Sequence, residues 1–234
     1  PGGTPPQIDL QVPIPDPDHP VVNVTITPNR PPVAVDDPTG TRDGGNVIPN
    51  DSDPDGGVIR VVSVQHLGSG TPDGPFIPDT NSTPVSVAST NPGVIQGKYG
   101  TLTLNSDGTY TFEPNDEYKK LADGQHALDK FQYTISDPFG LTASAILTID
   151  LTGVNDAPTA FVDQDKSVHA VSGGAPDAPP ITTTGNALAN DTDPDNGDTL
   201  KVIGARGGAD TSSPATGHVG EVIQGTYGTL VLNE

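Results

Sequence analysis

Thr101-Leu-Thr-Leu-Asn-Ser-Asp-Gly-Thr-Tyr-Thr-Phe112 decides the fold class of this chain. Two short runs alternate apolar and hydroxyl-bearing residues on either side of Asn105-Ser-Asp-Gly108, whose Asp-Gly pair supplies a tight turn. Leu102 and Leu104 point to one face at period two, as do Tyr110 and Phe112, so the stretch reads as a half-buried β-hairpin. The block that opens it, Gln96-Gly-Lys-Tyr-Gly-Thr-Leu-Thr-Leu-Asn105, returns without a gap as Gln224-Gly-Thr-Tyr-Gly-Thr-Leu-Val-Leu-Asn233. The hairpin therefore belongs to a repeat.

Working outward, the same alternation continues. Val58 to Val64 is a β-branched run. Phe131, Tyr133 and Ile135 share one parity before Ser136-Asp-Pro-Phe-Gly140 turns the chain. Ala143, Ala145, Leu147, Ile149 and Leu151 line the inner face of a following strand. One helical turn is expected over Asp116–Ala122, ended by Asp123-Gly124. Strands at this spacing predict an all-β chain made of β-sandwiches, each of about seven strands and about 120 residues.

Two further pairs of matching segments fix the organisation. Asn29-Arg-Pro-Pro32 and Asn155-Asp-Ala-Pro158 are both Asn-x-x-Pro hinges that follow a strand and lead into a new one. Asn50-Asp-Ser-Asp-Pro-Asp-Gly56 matches Asn190-Asp-Thr-Asp-Pro-Asp-Asn196. Pro32 to Pro158 is an offset of 126, Asn50 to Asn190 one of 140, and Gln96 to Gln224 one of 128. The second copy thus has a longer first loop and a shorter second one, as expected of insertions in surface loops. Residues 31–153 read as a complete repeat, and residues 154–234 as a second, without a counterpart of residues 107–153. Residues 1–30 are a Pro-rich lead-in with strand-like pieces at Gln7–Val12 and Val21–Thr27, readable as the last strands of a preceding repeat. The missing part of the second repeat is expected from a continuing chain or from another one.

Composition narrows the function classes. Ten Lys and Arg stand against 30 acidic residues, a net charge of −20. All the acids but Glu113, Glu117, Glu221 and Glu234 are Asp, the residue of turns and oxygen-rich metal loops rather than helix interiors. Such a balance argues against nucleic acid or an anionic membrane surface as partner. There is no Cys, so disulfides, thiolate metal sites and thiol nucleophiles are excluded. No apolar run is long enough to span a membrane as a helix. The five His have no paired spacing for zinc and read as exposed loop residues. Neither a nucleophile elbow nor another convergent acid–base set is visible, so the chain reads as non-catalytic. Asn23, Asn50, Asn81 and Asn190 fit the Asn-x-Ser/Thr sequon, which is read as chance.

The acidic runs carry the chemistry. Asp51, Asp53, Asp55 and Gly56 match the opening of an EF-hand loop, but its twelfth position is Val62 rather than Glu, which removes that reading. Alternating carboxylates on a turn can still converge, and two of them about 4 Å apart repel by roughly 4 kcal/mol at an effective dielectric near 20. A hard cation relieves that repulsion, and Ca²⁺ accepts six to eight oxygens in flexible geometry. Candidate ligands are Asp51, Asp53 and Asp55 in the first copy and Asp191, Asp193 and Asp195 in the second. Asp36, Asp37, Asp163 and Asp165 on the early strands could complete the shells, as could Asn155 and Asp156 of the hinge, with Asp137 and Asp198 as weaker candidates. The competing reading is that these Asp are turn formers on a solvated surface. Tyr99 and Tyr227 could stack on sugar or pack in the hairpin.

Gly97–Phe112, Leu121-Ala-Asp-Gly-Gln125, Phe131-Gln-Tyr-Thr-Ile-Ser-Asp137 and Val154-Asn-Asp-Ala-Pro158 together resemble the VCBS repeat of large bacterial surface adhesins of the RTX type. The resemblance covers roughly residues 31–234, although Ser136-Asp-Pro-Phe-Gly140 replaces the family's usual Asp-Gly-x-Gly turn. It implies tandem cadherin-like or immunoglobulin-like sandwiches, calcium at or near their junctions with Asn155 and Asp156 contributing, and an extracellular or cell-surface place. The function expected is a rigid extender in adhesion or biofilm, its partners neighbouring repeats and surface glycans or matrix. The alternatives are a carbohydrate-binding module or a fibre subunit in which Val21–Thr27 of one chain completes the open sandwich of another.

Overall fold

The computed structural model describes residues 8–10, 24–164, 183–208, 215–225 and 228–234. The chain divides into two compact units. One comprises residues up to Tyr118 together with His126–Thr152; the other comprises Lys119–Gln125 and the chain from Gly153 onward. The described residues form an all-β structure with a single 3₁₀ turn at Tyr118–Lys120, inside the stretch expected to turn helically.

In the first unit β1 (Ile8–Leu10) and β2 (Val24–Ile26) form an antiparallel pair. After them come β3 (Asp37–Gly40), β4 (Gly45–Asn46), β5 (Arg60–Gly70), β6 (Ile77–Pro78) and β7 (Val85–Ser86). β8 (Gly93–Gln96), β9 (Gly100–Leu104), β10 (Thr109–Pro114), β11 (His126–Ser136) and β12 (Thr142–Thr152) complete the unit. One sheet has the order β4-β10-β9-β8; the other runs β3-β12-β11-β5-β6, with β7 beside β5. All neighbours are antiparallel except β3 and β12, which run parallel with Leu147 opposite Asp37 and Ile149 opposite Gly40.

The hairpin has the register its sequence dictates, Phe112 opposite Leu102 and Tyr110 opposite Leu104. Gly108 takes a left-handed φ of 85° at the turn, a conformation that favours glycine. Leu102, Leu104, Tyr110 and Phe112 are buried, facing Phe131, Tyr133 and Ile135 of β11 and Ala145, Leu147, Ile149 and Leu151 of β12. Phe112 meets Phe131 edge-on across the two sheets, with ring centroids 6.2 Å apart. Val58 lies outside the strand expected from Val58 onward: β5 begins at Arg60, and Val58 is exposed.

A polar cluster reaches from the surface into this core. Asp129 on β11 has no exposed surface and accepts the backbone N–H groups of Tyr99 (2.8 Å) and Lys98 (3.3 Å). A Cβ on Gly97 would come within 2.7 Å of the Asp129 carboxylate, so glycine lets the Gly-Lys-Tyr-Gly loop close over it. His66, only 4 % exposed, bridges Asp129 (3.3 Å at Nε2) and Asp79 (2.9 Å at Nδ1). This corrects the expectation that every His is an exposed loop residue. His66 has the parity of Val64, and Asp129 that of Phe131, so both point inward.

In the second unit β13 (Val222–Gln224) and β14 (Thr229–Val231) pair antiparallel, Ile223 opposite Leu230. They reproduce the pairing of β8 and β9, where Ile95 stands opposite Leu102. The turn also repeats, with a 2.8 Å N–H bond from Gly97 to the Gly100 carbonyl and from Gly225 to that of Gly228. Leu102 is fully buried whereas its counterpart Leu230 is 52 % exposed.

Two predictions follow from the core. Phe131→Ala should cost about 3–5 kcal/mol through the cavity it leaves, read as a lower denaturation midpoint with an unchanged slope. Burial alone would lower the pKa of His66, but its hydrogen bonds to Asp129 and Asp79 outweigh it and the net shift is upward. Because the folded pKa lies above the unfolded value, the contribution of His66 is complete below about pH 6.5 and is lost as pH rises through the folded pKa. Melting temperature should therefore fall as pH rises from below about 6.5 through the raised pKa of His66. His66→Gln should flatten that slope; parallel profiles would refute the assignment.

Candidate metal centre

Each acidic turn is built by its own side chains. Asp53 Oδ1 accepts the N–H of Asp55 at 2.7 Å, and Asp193 Oδ1 that of Asp195 at 2.9 Å, the Asx-type bond by which an aspartate folds its own turn. The first carboxylate of each run holds the segment after the Asn-x-x-Pro motif: Asp51 accepts from Val35 N–H and Asp191 from Phe161 N–H, both at 2.7 Å. The third holds the hinge itself. Asp55 Oδ2 accepts the N–H of Arg30 at 2.6 Å, and Asp195 Oδ2 that of Asp156 at 2.7 Å. Thus both turns clamp the second residue of an Asn-x-x-Pro hinge.

The other oxygen of that third carboxylate differs between the copies. Asp55 Oδ1 is met by the Arg30 guanidinium, with Nε at 2.8 Å and the terminal nitrogen at 2.7 Å; that terminal nitrogen also donates to the Pro54 carbonyl. Bonds from the Arg30 backbone and side chain hold Asp55 below the usual carboxylate range. Asp195 is 4 % exposed, and its Oδ1 has no hydrogen-bond partner. It is the one such buried side-chain atom among the described residues. Leaving a buried acceptor unpaired costs about 1–3 kcal/mol, and more if it is charged.

Around that atom the second turn gathers acid. One carboxylate oxygen each from Asp193, Asp195 and Asp198 lie within 4.8 Å of one another, the one such group found among the described residues. Asp198 reaches the group because the left-handed residue of the second turn is Gly197 (φ 93°), whereas the first turn uses Gly56 (φ 78°). That shift by one residue brings the Asp198 N–H to the Asp195 carbonyl, at 3.4 Å. Asp198 aligns with Val58 of the first copy. Carboxylates alone, with no nitrogen or sulfur donor, suit a hard cation, and Ca²⁺ tolerates irregular geometry better than Mg²⁺ does. The unpaired Oδ1 and the donor set both fit such an ion.

The remaining candidates are placed as follows. Asp37 and Asp51 meet at the buried Tyr133, whose hydroxyl lies 2.9 Å from Asp37 and 3.2 Å from Asp51. Burial raises both carboxyls above their ordinary range, against the Tyr133 bond, and Asp51 repels Asp37 further. Asp36 accepts the N–H of Ile146 on β12. Asp137 is 6 % exposed and takes N–H groups of Phe139 and Leu141 together with the Asn29 amide. Burial pushes its pKa up, but the Asn29 amide and those backbone donors outweigh it, and the net shift is downward. Asn155 donates to the Asp156 carbonyl, and Asp163 is exposed. Asp165 and Tyr227 lie outside the described residues. Tyr99 is 7 % exposed, with the Lys98 ammonium 4.7 Å over its ring.

Residues 29–153 match the family model of the bacterial cadherin-like domain. The chain is also 32 % identical over 156 residues to the calcium-binding lectin RapA2 of Rhizobium johnstonii, a match covering 65 % of this chain and 55 % of that protein. The chain thus spans little more than half the length of this relative.

Asp195→Asn tests the centre with opposite signs. The amide keeps an oxygen for the Asp156 N–H while removing one charge from the crowded turn. In chelator the variant should melt at or above the wild-type temperature, and in millimolar calcium it should lose the upward shift of the wild type. An undiminished calcium shift in calorimetry would refute the site.

Proposed function

We propose that this chain, which belongs to the bacterial cadherin-like domain family, is a non-catalytic, calcium-stabilised extender of an extracellular or cell-surface bacterial adhesin. The observation that carries the reading is the unpaired, buried Oδ1 of Asp195 among Asp193 and Asp198. A divalent cation there would pair that oxygen and cancel the repulsion among three carboxylates. The same carboxylate holds the backbone of Asp156, so an ion on this turn would also fix the Asn155–Pro158 segment. The role of the metal is charge neutralisation, and its product is stiffness.

Extracellular modules bind Ca²⁺ with Kd of about 10⁻⁴–10⁻³ M. At tenfold to hundredfold excess a site of this kind adds about 1–3 kcal/mol to folding. In a calcium-poor cytoplasm the hinge would stay loose, and it would stiffen after export. The tandem copies make neighbouring repeats the natural partner, and the acidic surface makes nucleic acid an unsuitable one.

Carbohydrate binding is a second reading, favoured by the lectin name of the relative. Tyr99 does not serve it, because its ring is buried. A calcium-held oxygen cluster would instead take sugar hydroxyls as ligands. Calcium-dependent signals on a glycan array, lost in Asp195→Asn, would support that reading.

The extender reading predicts that calcium raises the melting temperature and increases the maximal dimension of the whole chain in small-angle scattering. Superimposable scattering curves in calcium and in chelator would exclude a stiffening role.

A further inference from the structure

We infer that the second residue of each hinge decides how its acidic turn is neutralised: Arg30 acts as a built-in cation for the first turn, whereas Asp156 leaves the second dependent on a divalent metal. The inference rests on reading the second turn as a calcium site. It adds that the two copies, alike in the bonds that clamp each Asn-x-x-Pro segment, differ in their need for the ion.

The two turns share the bonds that tie them to their Asn-x-x-Pro segments. Asp55 accepts the Arg30 N–H and Asp195 the Asp156 N–H; Asp53 closes its turn on Asp55 as Asp193 does on Asp195. Val33 pairs with Ser52 as Thr159 pairs with Thr192. Against those shared bonds, two of the charge differences between the copies fall on the groups that meet the third carboxylate or its neighbours. Position 30 is Arg where the second copy has Asp156, and position 58 is Val where it has Asp198. At these places the first turn sets one arginine against Asp53 and Asp55, with Asp137 near enough to act on Asp55, while the second has four aspartates and no base.

In the first turn the guanidinium covers the oxygens a cation would need. It contacts Asp55 Oδ1 and donates to the Pro54 carbonyl, and both are hard donors. A guanidinium placed there repels Ca²⁺ and already supplies the positive charge. In the second turn the matching carboxylate oxygen has no partner and two further carboxylates converge on the group. The pair of substitutions turns an internally neutralised turn into a cation receptor.

Calcium stoichiometry of the full chain, titrated with calcium chloride by calorimetry, tests this. Asp156→Arg should bind one calcium fewer than wild type, and the double variant Arg30→Asp, Val58→Asp should bind one more. Arg30 and Val58 are both exposed, so the double variant should fold, which far-UV circular dichroism checks. Asp195→Asn is the control for the underlying site. If Asp195→Asn loses a calcium while Asp156→Arg keeps the wild-type number, the inference falls and the calcium site stands. A folded double variant with no added calcium overturns it as well. Wild-type stoichiometry in Asp195→Asn removes the calcium site itself, and the inference with it.

Discussion

A carboxylate that holds a backbone N–H of the preceding Asn-x-x-Pro segment has one oxygen left over, and where the carboxylate is buried, as Asp195 is, that oxygen needs a partner other than water. This constraint shapes the hinge end of both units. In the first, Asp55 gives its second oxygen to Arg30, and Asp137 stands nearby with its own oxygens filled by backbone N–H groups and the Asn29 amide. In the second, Asp195 meets two more carboxylates. Although the same carboxylate clamps the same position in both copies, the electrostatics there depend on a very small number of side chains. A buried unpaired charge is strongly unfavourable, so the choice of partner decides when the end of the unit is settled.

The interior of the first unit is organised by a different means. Tyr133 and Asp129 both come from β11, and each gathers polar groups that the core would otherwise exclude. Tyr133 brings Asp37 and Asp51 to one hydroxyl, which ties the start of β3 and the acidic turn to the middle of the sandwich. Asp129 ties the Gly97–Gly100 loop to His66 and, through it, to Asp79. A central strand thus anchors both loop systems, and the dry surroundings make those few bonds costly to break.

Much of the fold was legible because its signals are local. Period-two alternation and the Asp-Gly turn give the hairpin, and repetition of Gln96–Asn105 gives the matching pair β13 and β14. The acidic turns were legible as chemistry, and the resemblance to adhesin repeats agrees with a bacterial cadherin-like family at the level of architecture. What was hidden depends on distance. Asp36 and Asp37 looked like metal ligands by position, yet they bond to Ile146 and Tyr133, more than ninety residues away in sequence. His66 and Asp129 are polar residues on inward parity, a signal present in the strand pattern but weak beside so many turn aspartates. Asp198 looked peripheral because its approach to Asp193 and Asp195 depends on the left-handed residue moving from the position of Gly56 to Gly197. The contrast of Arg30 with Asp156 was visible in the two hinges, but only the geometry attaches it to a particular oxygen.

The parallel pairing of β3 with β12 has a mechanical consequence. Because the first and last strands of the sandwich run side by side in the same direction, the chain enters at one end of that pair and leaves at the other. Tension drawn through the chain from one end to the other slides these strands along each other instead of peeling them apart. The bonds between them share the load and must fail together, whereas in an antiparallel terminal pair they would open one at a time. Under such a pull the contact between Asp37–Gly40 and β12 would be loaded in shear.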